Sequence, residues 1–401
     1  MRILQIHNKV PYPPKDGGSI AIWTLSQELA AQGHEVTLLA MNTKKHYVSA
    51  VDLPDREKSK IQIIPVDVNA PIHFYGAISN LLFSRLPYNA IRFIDNNFKK
   101  ALIEVLQKNE FDVIQLEGLY VAPYIPVIRK YSKAVVSFRA HNVEHEIWSR
   151  IKANETTLLK REYLGVLVRR LKRFEMSLLN SADVVVPITE RDASVFRTLG
   201  CSKPLHVCPA AINLLEVVPQ PRKTIFPSLF FIGALDWAPN QEGLIWFFDN
   251  LWANIHSEIP EITLYVAGRN CPDWLLKKIQ VDGVEYVGEV DNAYNFMNTY
   301  AIMIAPIFSG SGMRVKIIEG MALGKTIITT TIGTEGINTC HQQNILIANK
   351  ADDFILLIKK CLENREFCDS IGKNAIEFVR TNYDIKSITK SLIKFYKHSG
   401  A

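Results

Sequence analysis

Residues 2–41 read RILQIHNKVPYPPKDGGSIAIWTLSQELAAQGHEVTLLAM. The ends of this stretch, RILQIH and EVTLLAM, are short β-rich runs. Between them Ile22, Leu25 and Leu29 recur at i, i+3 and i+7, one face of a helix expected from about Ile20 to Gln32, with Gly33 as its stop. Strand, helix and strand in succession make a Rossmann-like unit.

The alternation continues through FDVIQLEG, AVVSFRAHN and ADVVVPIT. It breaks at VVPQPRKTIFP (217–227), which contains three prolines, and restarts with LFFIGAL, a helix from about Asn240 to Ile255, EITLYVAG, VEYVGEV and IMIAPI. A chain of 401 residues exceeds what one core organises. The fold class expected is therefore α/β, two Rossmann-like doubly wound parallel-sheet domains facing across a cleft. The first spans 1–215 and the second 216–381. A final helical pattern, with Ile385, Ile388, Leu392 and Phe395, is expected to pack residues 382–401 back on the first domain.

Composition narrows the function classes. With 48% hydrophobic and 21% charged residues the chain reads as globular. Its longest apolar runs fall well short of the ~20 residues a spanning helix needs, and no signal-length apolar region follows the N-terminus. The expectation is a cytoplasmic protein. A net charge of +6 is too weak to argue for nucleic acid, but suits a phosphate-bearing ligand or an anionic membrane surface. The six cysteines form no Cys-x-x-Cys pair and read as reduced thiols.

Ligands of doubly wound sheets bind in loops that follow strands. After IMIAPI comes FSGSGMRV and then the helical pattern VKIIEGMALG, closed by Gly324. Ser309, Gly310, Ser311 and Gly312 let the backbone approach a ligand closely, and the amides opening the next helix present partial positive charge to an anion. Arg314 and Lys316 add full charges that suit a diphosphate, and Glu319 is placed to accept from a ribose diol.

PIFSGSGMRVKIIEGMALGKTIITTTIGTEG (306–336) resembles the nucleotide-sugar signature of the family 4 glycosyltransferases. The resemblance extends through FIGALDWAPNQEGLIWF, VAGRN, EYVGEVDN, PYPPKDGG, RLPYNAIRF and RAHNVEHEIWSR, nearly the whole chain. It implies the two-Rossmann GT-B architecture, a nucleotide diphosphate sugar as donor, and retention of anomeric configuration. Donor-binding residues are then expected among Gly310, Ser311, Gly312, Met313, Val315 and Glu319. Many members carry two glutamates separated by seven residues; here the second is Glu319 and the first position is Ser311. Many also carry an Arg and a Lys after the first strand of the second domain, where ALDWAPNQEG has neither. Arg314 and Lys316 are the substitutes expected, as catalytic groups on the leaving diphosphate.

On the acceptor side, the resemblance implies that Gly17 and Gly18 let the first loop approach the donor phosphates and the incoming acceptor; the alternative is a simple helix-entry turn. No Gly-x-Gly-x-x-Gly is present, which disfavours a dinucleotide cofactor. AVVSFRAHN ends in Arg139, His141 and Asn142, followed by Glu144, and Glu117 ends a neighbouring strand. These are candidate acceptor-side residues, with His141 a candidate catalytic group that hydrogen-bonds either donor sugar or acceptor. Arg269 and Asn270 either meet the nucleotide or cap the next helix. From Arg150 to Arg173 eight Lys or Arg residues alternate with Leu158, Leu159, Leu164, Val166, Leu167 and Leu171. That run is either a solvated face of a core helix or a peripheral contact with anionic membrane, at its inner face.

The chain has no Asp-x-Asp pair, so no metal or other cofactor is expected. The partners expected are a sugar nucleotide and a glycan or lipid-linked acceptor, without nucleic acid, in cell-surface polysaccharide synthesis. Two other readings stay open: a nucleotide-sugar epimerase of the same fold, and a non-catalytic nucleotide-sugar binding protein.

Overall fold

A computed structural model describes residues 1–14, 16–55, 60–71, 73–310 and 312–401. The chain divides into two compact units, one of Met1–Pro209 with Lys386–Ala401, the other of Ala210–Ile385. The first break falls at Pro209 rather than after residue 215, because Ile212 is tied into the second unit: its N–H donates to Tyr383 O and its carbonyl accepts from Ile385 N.

The first sheet contains β1 (Arg2–His7), β2 (Glu35–Thr43), β3 (Ile61–Val68), β4 (Val113–Glu117), β5 (Val135–Ala140) and β6 (Val184–Pro187) in the order β3-β2-β1-β4-β5-β6. The second contains β7 (Ile225–Ile232), β8 (Leu264–Ala267), β9 (Val284–Gly288), β10 (Tyr300–Ala305), β11 (Thr326–Thr329) and β12 (Leu346–Ile347) in the order β12-β11-β10-β7-β8-β9. Every pairing is parallel. Each sheet reverses its winding at a central pair, β1 with β4 and β7 with β10. The crevices beyond the carboxyl ends of those pairs are where such sheets hold ligands.

Successive side chains of a strand point to opposite faces. In β7, Leu229 and Phe231 enter one apolar cluster with Leu264, Val266, Ile302 and Ile304, while Phe230 and Ile232 enter another with Ala267, Met303 and Ala305. A strand buried on both faces needs the unbroken run LFFI, which is why it is legible.

The first sheet is built differently. One face is apolar, with Leu4, Ile6, Ile114, Leu116, Val136 and Phe138 in a single cluster. On the other face the register aligns Gln5, Gln115 and Ser137 in one row and His7, Glu117 and Arg139 in the next. All six are buried. Buried polar groups require partners, and the C-terminal helix Ile385–His398 supplies one. Its fully buried Tyr396 hydroxyl donates to Gln115 Oε1 at 2.6 Å and lies 2.9 Å from Ser137 Oγ. Ser26 Oγ donates to Gln5 Oε1 at 2.6 Å.

We expect Tyr396→Phe to lower stability by about 1–3 kcal/mol, because the hydroxyl's loss strands two buried polar groups. Urea unfolding monitored by circular dichroism checks this.

Candidate active site

In the second unit the loop after β10 leads into the helix Val315–Ala322, the expected strand-to-helix junction. Gly310 has φ of 94° and Gly312 of 78°, left-handed conformations that side chains resist. Ser311 lies outside the described residues. Val315 turns its side chain into the core and Met313 packs partly against it. What Val315 and Lys316 direct outward along the helix axis is their amides, since the first N–H groups of a helix have no partner within it.

Lys316 reaches back across the sheet to the carboxyl end of β7. Its Nζ donates to Ile232 O at 3.1 Å and Asn240 Oδ1 at 2.9 Å, and lies 4.5 Å from the centre of the Phe231 ring. A Cβ on Gly233 would stand 3.0 Å from Nζ and 2.7 Å from Asn240 Nδ2, so a larger residue there would displace both groups. Burial, with the charge of Arg314 adding to it, brings the ammonium down from 10.5 to about 7. The first loop of the second unit lacks its own cation, and Lys316 stands at its start.

Arg314 is placed differently from the expectation. Its guanidinium is buried and turned into its own loop, donating to Gly312 O and to Ser309 O at 3.3 Å, with Cζ 5.7 Å from the centre of the Trp237 ring. It holds the shape of the loop rather than facing outward, because the carbonyls of a glycine-rich turn point inward and need a donor. Glu319 is buried and accepts from the Tyr294 hydroxyl at 3.1 Å; burial pushes its carboxyl up. Arg269, half-buried at the end of β8, has no side-chain hydrogen bond or ion pair among the described residues. Asn270 donates to Asp236 Oδ2 at 3.0 Å, linking the loops that follow β8 and β7.

In the first unit, Glu117 is the centre of the strand-end cluster. Its carboxylate accepts from Gln115 Nε2, from Arg139 Nη1 at 3.2 Å and from His141 Nε2 at 2.6 Å. Burial alone would push this carboxyl up, but Arg139 and the hydrogen bond from His141 outweigh it and hold it at about 2. His7 beside it is kept neutral by burial, which lowers it to about 3. Glu117 and Arg139 are therefore corrected from acceptor contacts to supports. Both are almost wholly buried, while His141, half-exposed, is the member that reaches the surface.

Glu144 is half-buried and accepts from the Tyr120 hydroxyl at 2.7 Å. Burial pushes its carboxyl up to about 7, opposed by Tyr120. Its backbone N–H donates to Glu175 Oε1 at 2.9 Å, and the other oxygen of Glu175 meets His145 Nδ1 at 2.6 Å. Asn142 also hydrogen-bonds the Glu144 carboxyl. Gly17 and Gly18 are exposed at the start of the helix Gly17–Ala31. Asp16 caps that helix through Ser19 N at 3.0 Å and pairs with Lys9 at 2.6 Å.

Sequence reasoning missed Asn240, Tyr294, Tyr120 and Glu175, which support the residues it named. Only Asn240 had a signal, its place in the first turn of the helix Ala238–Phe247 that follows β7. Leu164, Leu167 and Leu171 of the basic run are core residues. Among the described residues no helix is long and apolar enough to cross a membrane.

Residues 15–215, half the chain, match Glycosyltransferase Family 4. The chain belongs to that family. Residues 226–364 match Glycosyl transferases group 1, so both units of this family 4 glycosyltransferase are covered. An uncharacterized 44.6 kDa protein in the cps region of Klebsiella pneumoniae is 23% identical, over 98% of this chain and 99% of its own. Sucrose-phosphate synthase from Thermosynechococcus elongatus superposes with a TM-score of 0.74 at 16% identity, covering 99% of both chains. Anabaena HepE in complex with UDP gives 0.71 at 11% identity, covering 99% of this chain and 100% of that one. The fold is GT-B, with two Rossmann-like units.

Glu117→Gln should leave Arg139 as an uncompensated buried cation and destabilise the protein by about 3–5 kcal/mol. Replacing Arg139 by Met as well should restore most of that loss, a coupling that a double-mutant cycle in urea reads directly. Because Glu117's folded pKa lies below its unfolded one, its contribution is complete above about 4.5 and fades as pH falls toward 2.

Proposed function

We propose that the chain transfers a glycosyl residue from a nucleoside diphosphate sugar to a hydroxyl of a glycan or lipid-linked acceptor. Transfer proceeds with retention and without a divalent metal, as a step in building a cell-surface polysaccharide. The observation that carries this reading is the seat of Lys316, a half-buried ammonium whose hydrogen-bond partners are neutral oxygens, at the switch point of the second sheet.

Breaking the bond from the anomeric carbon to the leaving phosphate builds negative charge on that phosphate, and groups already aimed at it lower the barrier. Lys316 and the amides of Val315 and Lys316 are assigned to that charge, Gly310 and Gly312 to close backbone approach, and Glu319, oriented by Tyr294, to the ribose. Arg314 keeps the loop in shape for them. Arg269 is assigned to the nucleotide, and His141, fixed through Glu117, to a sugar or acceptor hydroxyl. The likeness to HepE, solved with UDP, recommends uridine nucleotides as the first donors to test. The relative in a cps region supports the polysaccharide context.

A thermal-shift screen over sugar nucleotides should reveal one donor that stabilises the protein by an amount that grows with the logarithm of its affinity, followed by release of nucleoside diphosphate when acceptor is added. Appearance of an isomerised sugar nucleotide with donor alone would establish an epimerase instead. Stabilisation by a donor with no diphosphate released in the presence of any acceptor would leave only a binding protein.

Lys316 makes the binding step pH-dependent. Above about 7 the free protein carries a neutral amine there, so a diphosphate must bring a proton with it. Donor affinity should fall by up to about tenfold per pH unit above 7. Calorimetry in buffers of different ionisation enthalpy should show the proton uptake, and Lys316→Met should bind weakly with that dependence gone.

A further inference from the structure

The loop after β7 carries a large exposed ring. Trp237 keeps 39% of its surface in solvent, beyond the carboxyl end of the central strand of the second sheet. A lone exposed aromatic is ordinary. This one is held from several sides. Its carbonyl accepts from Asn240 N at 3.0 Å and from Gln241 N at 3.2 Å, which fixes its backbone at the start of the helix Ala238–Phe247. On one flank, Asp236 accepts from Asn270, the neighbour of Arg269. On the other, the ring lies against the glycine-rich loop: a Cβ on Gly310 would stand 3.4 Å from Trp237 Cζ2 and 3.3 Å from Pro239 Cγ. The buried Arg314 guanidinium lies over the ring, 5.7 Å from its centre, a cation on an aromatic face.

Bracing of this kind removes side-chain freedom before a ligand arrives, so less is lost on binding. The neighbours of the ring select the part of the ligand it meets. Gly310 and the amides of Val315 and Lys316 are assigned to the diphosphate, and Asn240, three residues after Trp237, holds Lys316 Nζ at 2.9 Å. In a sugar nucleotide the anomeric carbon is bonded directly to an oxygen of the outer phosphate. The nucleobase is separated from that phosphate by the inner phosphate and the ribose, which is assigned to Glu319. A ring packed on Gly310 is therefore beside the transferred sugar. A pyranose shows weakly positive C–H bonds on its faces, and the face of an indole is electron-rich. The indole N–H, without a partner among the described residues, remains to donate to a hydroxyl.

We propose that Trp237 is the stacking platform for the transferred sugar of the donor, a specificity-determining contact separate from those on the diphosphate. The inference rests on the donor reading above and names a further residue of that site.

The test takes the full chain through UDP-, GDP-, dTDP- and ADP-sugars and the matching nucleoside diphosphates. For the sugar nucleotide that binds, calorimetry should show Trp237→Ala weakening it about tenfold, while the bare diphosphate binds as it does to the wild type. Trp237→Phe should recover most of the loss. The sugar nucleotide should also shift the wild-type tryptophan emission to shorter wavelength, the bare diphosphate should not, and Trp237→Phe should abolish the shift. Should Trp237→Ala not fold, the emission shift and its loss in Trp237→Phe decide alone. Equal weakening of sugar nucleotide and diphosphate overturns the proposal, because the ring would then act on the nucleobase or through Arg314 on the shape of the loop. So does a defect confined to the KM of the acceptor. Failure of every sugar nucleotide to bind the wild type removes the donor reading and this inference together; a donor that binds all three proteins alike removes this inference only.

Discussion

Glu117 is a carboxylate placed where a carboxylate is hardest to keep. An ion removed from water is tolerable only when opposite charge and hydrogen bonds surround it, and here they come from three directions: Gln115 on its own strand, Arg139 across the β4–β5 register, and His141 just beyond β5. Moving any strand by one residue would send these side chains to the opposite face and leave charges in the apolar cluster. The polar face therefore fixes the register of the central strands more strictly than apolar packing could. It also explains why the last helix returns to the first unit, since Tyr396 completes the row of which Gln115 is the centre.

The second unit treats its half-buried cation in the opposite way. Lys316 has a carbonyl, an amide oxygen and an aromatic face for company, and Arg314 as a charged neighbour. Oxygen dipoles satisfy its protons without neutralising its charge, so its affinity for the proton falls. Glu117 gains from its surroundings the stabilisation that Lys316 lacks, and the two pKa displacements express one rule: a buried ion is as comfortable as its counter-charges make it. A group short of counter-charge keeps charge to offer, while a group fully paired does not.

The fold was largely legible because β6, β7, β8 and β10 are apolar or nearly so along their length, as two-sided burial demands, while β1, β4 and β5 alternate apolar residues with buried polar ones. The strands not read have reasons in their chemistry. β3, IQIIPVDV, lies at a sheet edge and contains Pro65, which has no N–H for a ladder. β11 and β12 are too short to show a period. At the site, sequence supplied residue types but not directions. Glu117 and Arg139 follow apolar runs and read as strand-end polar groups, yet alternation turns them inward toward each other. Arg314 and Lys316 are two residues apart, and one folds into its own loop while the other crosses to β7.

Direction also separates the two leucine-rich helices of the first unit. Leu164, Leu167 and Leu171 lie on the inward face of their helix and vanish into the core, leaving Arg169, Lys172 and Arg173 in solvent. In Phe74–Phe83 the same residue types at similar spacing stay outside, because the inward position is taken by Asn80 and the attachment by backbone carbonyls that need Arg170. Periodicity reveals that a helix has an apolar face; it says nothing about what the opposite face is bonded to. Where that other face is the one pinned by hydrogen bonds, the apolar side is left exposed, and amphipathicity no longer reports where the core lies.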